Sequence, residues 1–148
     1  VSEAHGLFGI DDTSEPLIRL MQSALERQQL KPSDVGMITM HANGTQQSDA
    51  SEALAVATLF GDNNVPVTGF KWALGHTLCA SGIMDTVLTV KALQEKSIPG
   101  IKNFEKLGAD CQGISVSSSE RPLSSPLAMV LSRGFGGIDS ALLLKAYE

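Results

Sequence analysis

The sequence predicts an α/β fold in which helices cover both faces of a mixed sheet. Stretches with apolar residues at helical spacing alternate along the chain with short apolar runs that are typical of buried strands. The last two apolar runs flank a run of glycines, which predicts an antiparallel hairpin at one edge of the sheet. This order favours a layered α-β-α domain with an antiparallel edge.

Each predicted element has a local signal. Ser14 is a good N-cap for the first helix, and Asp49 followed by Glu52 resembles a capping box for the second. The third helix is apolar almost all round, which predicts that it is buried in something larger than one sheet face. Residues 100–113 are expected to cross the domain irregularly. The predicted helices are residues 15–29, 49–60 and 81–95, and the predicted strands are residues 35–40, 65–70, 114–118, 127–132 and 140–146.

Composition excludes several classes of function. The 148 residues suit one domain, and 43% apolar with 18% charged residues suits a packed core. A net charge of −5 gives no basic surface for nucleic acid or an anionic membrane. Without a signal-peptide pattern or a long apolar run, a cytoplasmic chain is expected. Cys79 and Cys111 lie far apart in sequence, so neither a metal site nor a disulfide framework is predicted. The first residue, Val1, suggests a chain cut from something longer.

Two histidines with a lysine between them are the strongest candidates for an active site. His41 follows the predicted strand at 35–40, and His76 lies five residues after Lys71. Histidines that end strands beside glycines can lie in an open site where an imidazole donates or moves protons. A single histidine in a loop more often has no catalytic role, and His5 keeps that interpretation. The pair His41 and His76 therefore predicts an active site, whereas Lys71 is expected to be internal and paired.

Three motifs in this order resemble the second half of the β-ketoacyl synthases, which have the thiolase-like fold. The first is His41-Ala-Asn-Gly-Thr45, with Asp49 and Glu52 at the acidic positions of the family. The second runs from Lys71 through Gly75-His76 to Gly82, and the third is Gly134-Phe-Gly-Gly137. The resemblance covers nearly the whole chain. It implies that residues 1–148 are the C-terminal domain, and that the nucleophilic cysteine lies in an N-terminal half absent from this chain.

The resemblance implies a decarboxylative Claisen condensation. A malonyl thioester on acyl carrier protein loses CO2, and the enolate attacks an acyl group held on the cysteine. His41 and His76 would donate hydrogen bonds to the developing enolate oxygen, which lowers the barrier. Lys71 and Glu52 would tune the electrostatics around the histidines, with Thr45 and Asp49 in support. No metal or resident cofactor is implied, because the phosphopantetheine arm arrives on the carrier protein.

The glycine-rich motif would supply a gating loop. By resemblance, the backbone N–H of Phe135 joins that of the missing cysteine in an oxyanion hole, and its ring gates the acyl pocket. Gly134, Gly136 and Gly137 would let this loop move, since they carry no Cβ. The same run is also compatible with a plain hairpin turn.

Several positions depart from the family pattern, and they leave two classes of function open. The departures are Ala42, Asn43, Gln46, Cys79, Arg133 and Asp139. The first class is an active β-ketoacyl synthase of which this chain is the C-terminal part. The isolated chain is then expected to be inactive, because it lacks the nucleophilic cysteine. The second is a non-catalytic partner subunit resembling a chain-length factor, or a docking module. Expected partners are acyl carrier protein and either the N-terminal half or a cysteine-bearing mate, in a homodimer or heterodimer. Cys79 and Trp72 are interpreted as packing residues.

Overall fold

The computed structural model describes residues 13–147, so His5 lies outside the described residues. The helices are α1 (Glu15–Glu26), α2 (Gln46–Phe60), α3 (Lys71–Leu74) and α4 (Ser81–Glu95). The strands are β1 (Met37–Thr39), β2 (Val67–Thr68), β3 (Ser97–Ile98), β4 (Arg121–Pro122), β5 (Leu127–Gly134) and β6 (Ile138–Lys145).

The main sheet has the strand order β2-β1-β5-β6. Strand β1 is parallel to both of its neighbours, and β6 is antiparallel to β5 along its whole length. Strands β3 and β4 form a small separate antiparallel ladder. The carboxyl ends of β2, β1 and β5 consequently meet at one edge, where open α/β sheets bind their ligands.

Helices cover both faces of this sheet, as the alternation of elements predicts. Side chains from α1 and α2, including Leu17 and Phe60, form one core cluster with Ile38 of β1. Met37, the preceding residue of β1, points to the opposite face and packs with Ala92 and Leu93 of α4. This change of face between successive residues is the period of two that a strand imposes. The mixed α/β fold class is confirmed.

Some local predictions were wrong, each for a definable reason. The predicted strand at 114–118 contributes only a single bridge, from Ser115 to Pro66, beside the four strands. Helix α1 ends at Glu26 instead of near residue 29. Strands β3 and β4 were not predicted, because a ladder with two residues on each strand is too short to give a periodic signal. Ser14 stands at the N-cap of α1, but its hydroxyl donates to the carbonyl oxygen of Ser51 on α2 at 2.6 Å. That hydroxyl therefore ties two helices together instead of capping one.

Helix α4 confirms the predicted bounds and turns a largely apolar side outward. The residues facing the sheet include Asp85 and Thr89, and Thr89 Oγ1 lies 2.7 Å from Thr39 Oγ1 of β1. The large side chains point the other way, and Val87 is 56% exposed. The same surface, here called the α4 face, consists of Ile83, Met84, Val87 and Val90. A contiguous exposed apolar surface of this kind marks an interaction site.

The backbone approach at Gly36 gives a stability prediction. A Cβ at this position would lie 2.3 Å from the carbonyl oxygen of Ser125. Gly36→Ala should therefore lower the free energy of unfolding by about 1–3 kcal/mol in urea titrations, the usual cost of overpacking. Gly61→Ala is the matched control, because no atom lies within 4 Å of its Cβ position and its φ is −55°. Equal unfolding free energies for the two variants would contradict this account.

The α4 face gives a second prediction, on assembly. The isolated chain should self-associate, and replacing both Ile83 and Val87 with serine should reduce that association because it removes exposed apolar area. Light scattering with size-exclusion chromatography measures the effect. Serine at Lys91 and Gln94, exposed polar residues of the same helix, serves as the control. A monodisperse, compact monomer of the parent chain would sink the prediction.

Candidate active site

Three motifs that lie far apart in sequence meet at the carboxyl edge of the parallel strands. His41 follows β1 by two residues, Lys71 follows β2 by three, and Gly134 ends β5. Because β1 lies between β2 and β5, its turn is central and the other two motifs flank it. The fold thus brings the sequence-predicted motifs to one edge of the sheet.

The two histidines contact each other edge to face. Their ring centroids are 5.2 Å apart and the ring planes are inclined by 82°. His41 is only 2% exposed, whereas His76 lies on the exposed stretch before α4. The Nδ1 atom of His76 accepts a hydrogen bond from the backbone N–H of Leu78 at 3.1 Å. An accepting Nδ1 leaves the proton of the neutral ring on Nε2, so His76 presents an N–H donor.

His41 is held in its neutral form. Burial is the largest cause that lowers its pKa to about 3, and the positive charge of Lys71 is the next, followed by His76 and Arg133. Its Nδ1 atom is buried and has no hydrogen-bond partner among residues 13–147. A neutral imidazole of this kind can donate a hydrogen bond without bringing a positive charge into the site.

A fully buried carboxylate fixes the turn that carries His41. Glu52 Oε1 accepts the backbone N–H of His41 at 2.6 Å, and Oε2 accepts that of Ala42 at 2.9 Å. We call this contact the Glu52 clamp. Burial raises the pKa of Glu52 to about 7, against the opposing effect of the two N–H donors and of Arg133. The expectation that Glu52 caps a helix was wrong, because α2 begins at Gln46 and Glu52 lies well inside it.

The clamp also holds Ala42 in an unusual conformation. Its φ is +40°, a left-handed value that L residues with a Cβ seldom adopt. The family pattern has glycine here, so Ala42 is a departure with a conformational cost. Two hydrogen bonds from one buried carboxylate oppose that cost.

Lys71 is paired, as the sequence predicts. Its Nζ lies 2.5 Å from Asp85 Oδ2, and the two side chains are 5% and 3% exposed. Burial raises the pKa of Asp85, while the hydrogen bond and charge of Lys71 act in the opposite direction. Sequence reasoning missed Asp85. The signal was available, since an aspartate stands alone among the apolar residues of the first half of α4.

Two further predicted residues line or border the site. Asp49 is half-buried and its Oδ1 accepts the backbone N–H of Gly44 at 3.3 Å, so it supports the loop ahead of α2 instead of opening the helix. Burial is the main cause that raises its pKa. Thr45 is exposed, and both its N–H and its hydroxyl donate to Asn43 Oδ1. Thus Asn43, a departure from the family pattern, stabilises its own turn.

A cleft of about 460 Å³ opens beside the histidines. Its walls come from the His41 loop, the His76 stretch and the crossing segment. The lining residues are Ala42, Asn43, Gly44, Asp49, Gly69, Lys71, Trp72, Gly75, His76, Ile101 and Asn103. Trp72 lines this cleft at 41% exposure and Cys79 is exposed, so the interpretation of both as packing residues was wrong for the described chain. Both belong to residues 72–80, an exposed stretch leading into α4.

The glycine-rich motif forms the turn between β5 and β6. Gly134 pairs with Ile138, which leaves residues 135–137 as the loop, and Gly136 and Gly137 have φ values of +72° and +68°. Phe135 is 71% exposed, so its ring lies at the surface of the chain and not in an enclosed pocket. The hairpin itself is confirmed.

Residues 13–147 carry neither a metal-binding cluster of side chains nor a membrane-spanning helix. Within that range no group of three or more His, Cys, Asp or Glu side chains is placed to hold a metal ion. None of the helices in the described part of the chain is long and apolar enough to cross a membrane.

Comparisons with known proteins point to one family. A family model described as "Beta-ketoacyl synthase, C-terminal domain" matches residues 3–105. The 3-oxoacyl-[acyl-carrier-protein] synthase 2 of Mycobacterium leprae is 32% identical, over 99% of this chain and 35% of its own length. The synthase of the same name from Synechocystis is 33% identical, over 88% of this chain and 32% of its own length. The chain therefore spans about a third of the length of these curated relatives.

Solved structures give the same result for the fold. A ketosynthase in complex with its chain length factor from Xenorhabdus doucetiae superposes with a TM-score of 0.86 at 27% identity, over 99% of this chain and 37% of that one. A type II acyl-carrier protein complex with its hexaketide-bound ketosynthase gives 0.92 at 24% identity, over 100% and 37% of the two chains. The family model matches well over half of this chain. The chain therefore belongs to the β-ketoacyl synthase family, matches its C-terminal domain and has the thiolase-like fold.

Proposed function

We propose that this domain supplies the decarboxylation half of a β-ketoacyl synthase active site. In that reaction the bond between the malonyl α-carbon and its carboxylate breaks, CO2 leaves, and the electron pair becomes an enolate of the thioester. The enolate carbon then attacks an acyl group on a cysteine outside this chain, and the cysteine leaves as thiolate. This domain would stabilise the enolate oxygen.

The observation that carries the proposal is the pair of imidazoles 5.2 Å apart at the edge of the cleft. Negative charge develops on the thioester oxygen as CO2 leaves, and two preorganised N–H donors bind that oxygen more strongly in the transition state than in the substrate. His76 carries its proton on Nε2 because Nδ1 is occupied by the N–H of Leu78. His41 is neutral at physiological pH and is therefore able to act as a hydrogen-bond donor.

Lys71 would act on the histidines through its charge. Its Nζ is bonded to Asp85 inside the protein, so it is not a general base for substrate. Burial is the main cause that lowers the pKa of His41, and the positive charge of Lys71 adds to it in keeping that ring neutral. Asp49 and Thr45 would shape the loop at the mouth of the cleft.

The partners of the reaction follow from the missing parts of the site. The cysteine, and with it most of the acyl pocket, would come from an N-terminal half or a mate subunit covering the α4 face. The malonyl group would arrive on the phosphopantetheine arm of acyl carrier protein, so the domain needs no resident cofactor. Phe135 and the glycines around it would form the gate and one oxyanion donor. This arrangement predicts a cytoplasmic homodimer or heterodimer.

A non-catalytic partner subunit is the second candidate. The Xenorhabdus structure on which this chain superposes contains a ketosynthase together with its chain length factor. Arg133 and Ala42, which depart from the family pattern, favour this candidate. Two imidazoles within contact distance favour the enzyme, because a scaffold has no physical need for them. The kinetic prediction that follows separates the two.

In the parent synthase, His41→Gln and His76→Gln should each lower malonyl-thioester decarboxylation by about 10²–10³-fold, the usual cost of one oxyanion donor. Release of CO2 from malonyl-acyl carrier protein measures this step without the acyl group. His5→Gln is the control, because His5 is the remaining histidine of the chain and lies outside the three motifs. Unchanged release in both variants would reject the enzyme and leave the partner subunit. The isolated chain should form no ketoacyl product.

Stability should depend on pH through His41. Folded His41 has a pKa of about 3 against an ordinary 6.5, so the unfolded state binds the extra proton and the free energy of unfolding falls as pH drops from 6.5 towards 3. The slope is at most about 1.4 kcal/mol per pH unit. Glu52 acts oppositely, because its pKa of about 7 against 4.5 gives stability that is lost as pH rises through that window.

The contribution of His41 is isolated by comparing the parent chain with His41→Gln. In urea titrations between pH 3 and 7, the free energy of unfolding of the parent minus that of the variant should rise from pH 3 and level off near pH 6.5. Parallel curves across this range would show that His41 titrates alike in the folded and unfolded states.

A further inference from the structure

A second buried ion pair lies at the base of the glycine-rich loop. Arg133, near the end of β5, and Asp139, near the start of β6, face each other directly across the hairpin. The Nε atom of Arg133 lies 3.2 Å from Asp139 Oδ1, and the two side chains are 6% and 2% exposed. Both residues depart from the family pattern at these positions. We call this ion pair the Arg133–Asp139 latch.

The latch also reaches helix α2. The Nη1 atom of Arg133 lies 3.4 Å from the carbonyl oxygen of Ser48. Ser48 and Glu52 are separated by four residues, so they lie on the same face of α2, and both are fully buried. The guanidinium thus contacts the helix one turn before the carboxylate that clamps His41.

A continuous chain of buried polar contacts therefore joins the loop to the histidine. It runs from Asp139 through Arg133 to the Ser48 turn of α2, then through Glu52 to the backbone N–H groups of His41 and Ala42. The charge of Arg133 also favours the ionised form of Glu52, which is the form that accepts both N–H bonds. Breaking a buried ion pair on one side leaves an uncompensated charge, which is strongly destabilising.

We propose that Arg133 is a positioning residue that couples the loop at residues 135–137 to the Glu52 clamp, so that the gate and His41 hold their positions as one unit. The latch closes the base of the hairpin, and the fork of the guanidinium spans two elements at once. Its bearing on catalysis rests on the proposed function. Its structural coupling does not, because that is read from the contacts of the Arg133, Asp139 and Glu52 side chains.

Hydrogen exchange in the whole synthase, unsubstituted (the parent) and with single substitutions, tests the coupling. In Arg133→Met, the amides of His41 and Ala42 should exchange at least tenfold faster than in the parent. The amide of Met40, which donates to the carbonyl oxygen of Thr68 within the sheet, is the internal reference and should change little. A loss of global stability would raise all three rates together, so their ratio isolates the clamp.

Three further variants complete the test. Asp139→Asn keeps the size of the side chain and should raise the His41 rate in the same direction, which protects the test against misfolding of the methionine variant. Arg133→Lys keeps the charge but loses the fork that spans two elements, so its His41 rate should lie between those of the parent and the methionine variant. Arg19→Met breaks an exposed ion pair of 3.0 Å with Glu15 and should change no rate at the site.

The proposal is overturned if loop amides accelerate in Arg133→Met while the ratio of His41 to Met40 stays constant. It is also overturned if Asp139→Asn leaves the exchange rate of the His41 amide unchanged. These outcomes are independent of decarboxylation, so failure of the histidine variants to lose activity would reject the proposed function and leave the latch to be judged by exchange.

Discussion

The site depends on the hydrogen bonds that the Glu52 carboxylate accepts from the turn carrying His41. It is fully buried inside α2, yet both of its oxygens are satisfied by the N–H groups of His41 and Ala42. Burying an ionised carboxylate is unfavourable unless such donors compensate it. The same two bonds hold Ala42 at a positive φ and place His41 at the end of the central strand. Without these two hydrogen bonds, nothing would offset the conformational cost of the positive φ at Ala42.

Two buried ion pairs flank the Glu52 clamp, and the cation of each lowers the pKa of His41. Lys71 with Asp85 joins the end of β2 to α4, while Arg133 with Asp139 closes the hairpin of β5 and β6. Each cation contributes to keeping His41 neutral. In the proposed function, a neutral imidazole donates a hydrogen bond to the developing charge without first binding an anion. The fold thus places two buried cations near His41 and keeps that ring uncharged.

The sequence predicted the fold class, the bounds of α4 and the pairing of Lys71, because these follow from periodicity and from the setting of single residues. It did not predict the start of α2 or the partners of Glu52 and Arg133. Asp49 and Glu52 look like caps in sequence, and only the tertiary placement of the His41 turn shows Glu52 to be its clamp. Asp85 was missed because α4 is apolar on most sides, whereas the buried side of its first half is polar. Roles of the site residues stay predictions.

The protonation of the two histidines tests the central claim most directly. Nitrogen-detected NMR of the parent protein, labelled at histidine, reports the charge and tautomer of each ring. The account predicts that His41 is neutral at pH 7 and stays so when the pH is lowered to 5, with the proton of His76 on Nε2. A His41 ring that becomes protonated near pH 6.5, or a His76 proton on Nδ1, would contradict a site built from two preorganised neutral donors.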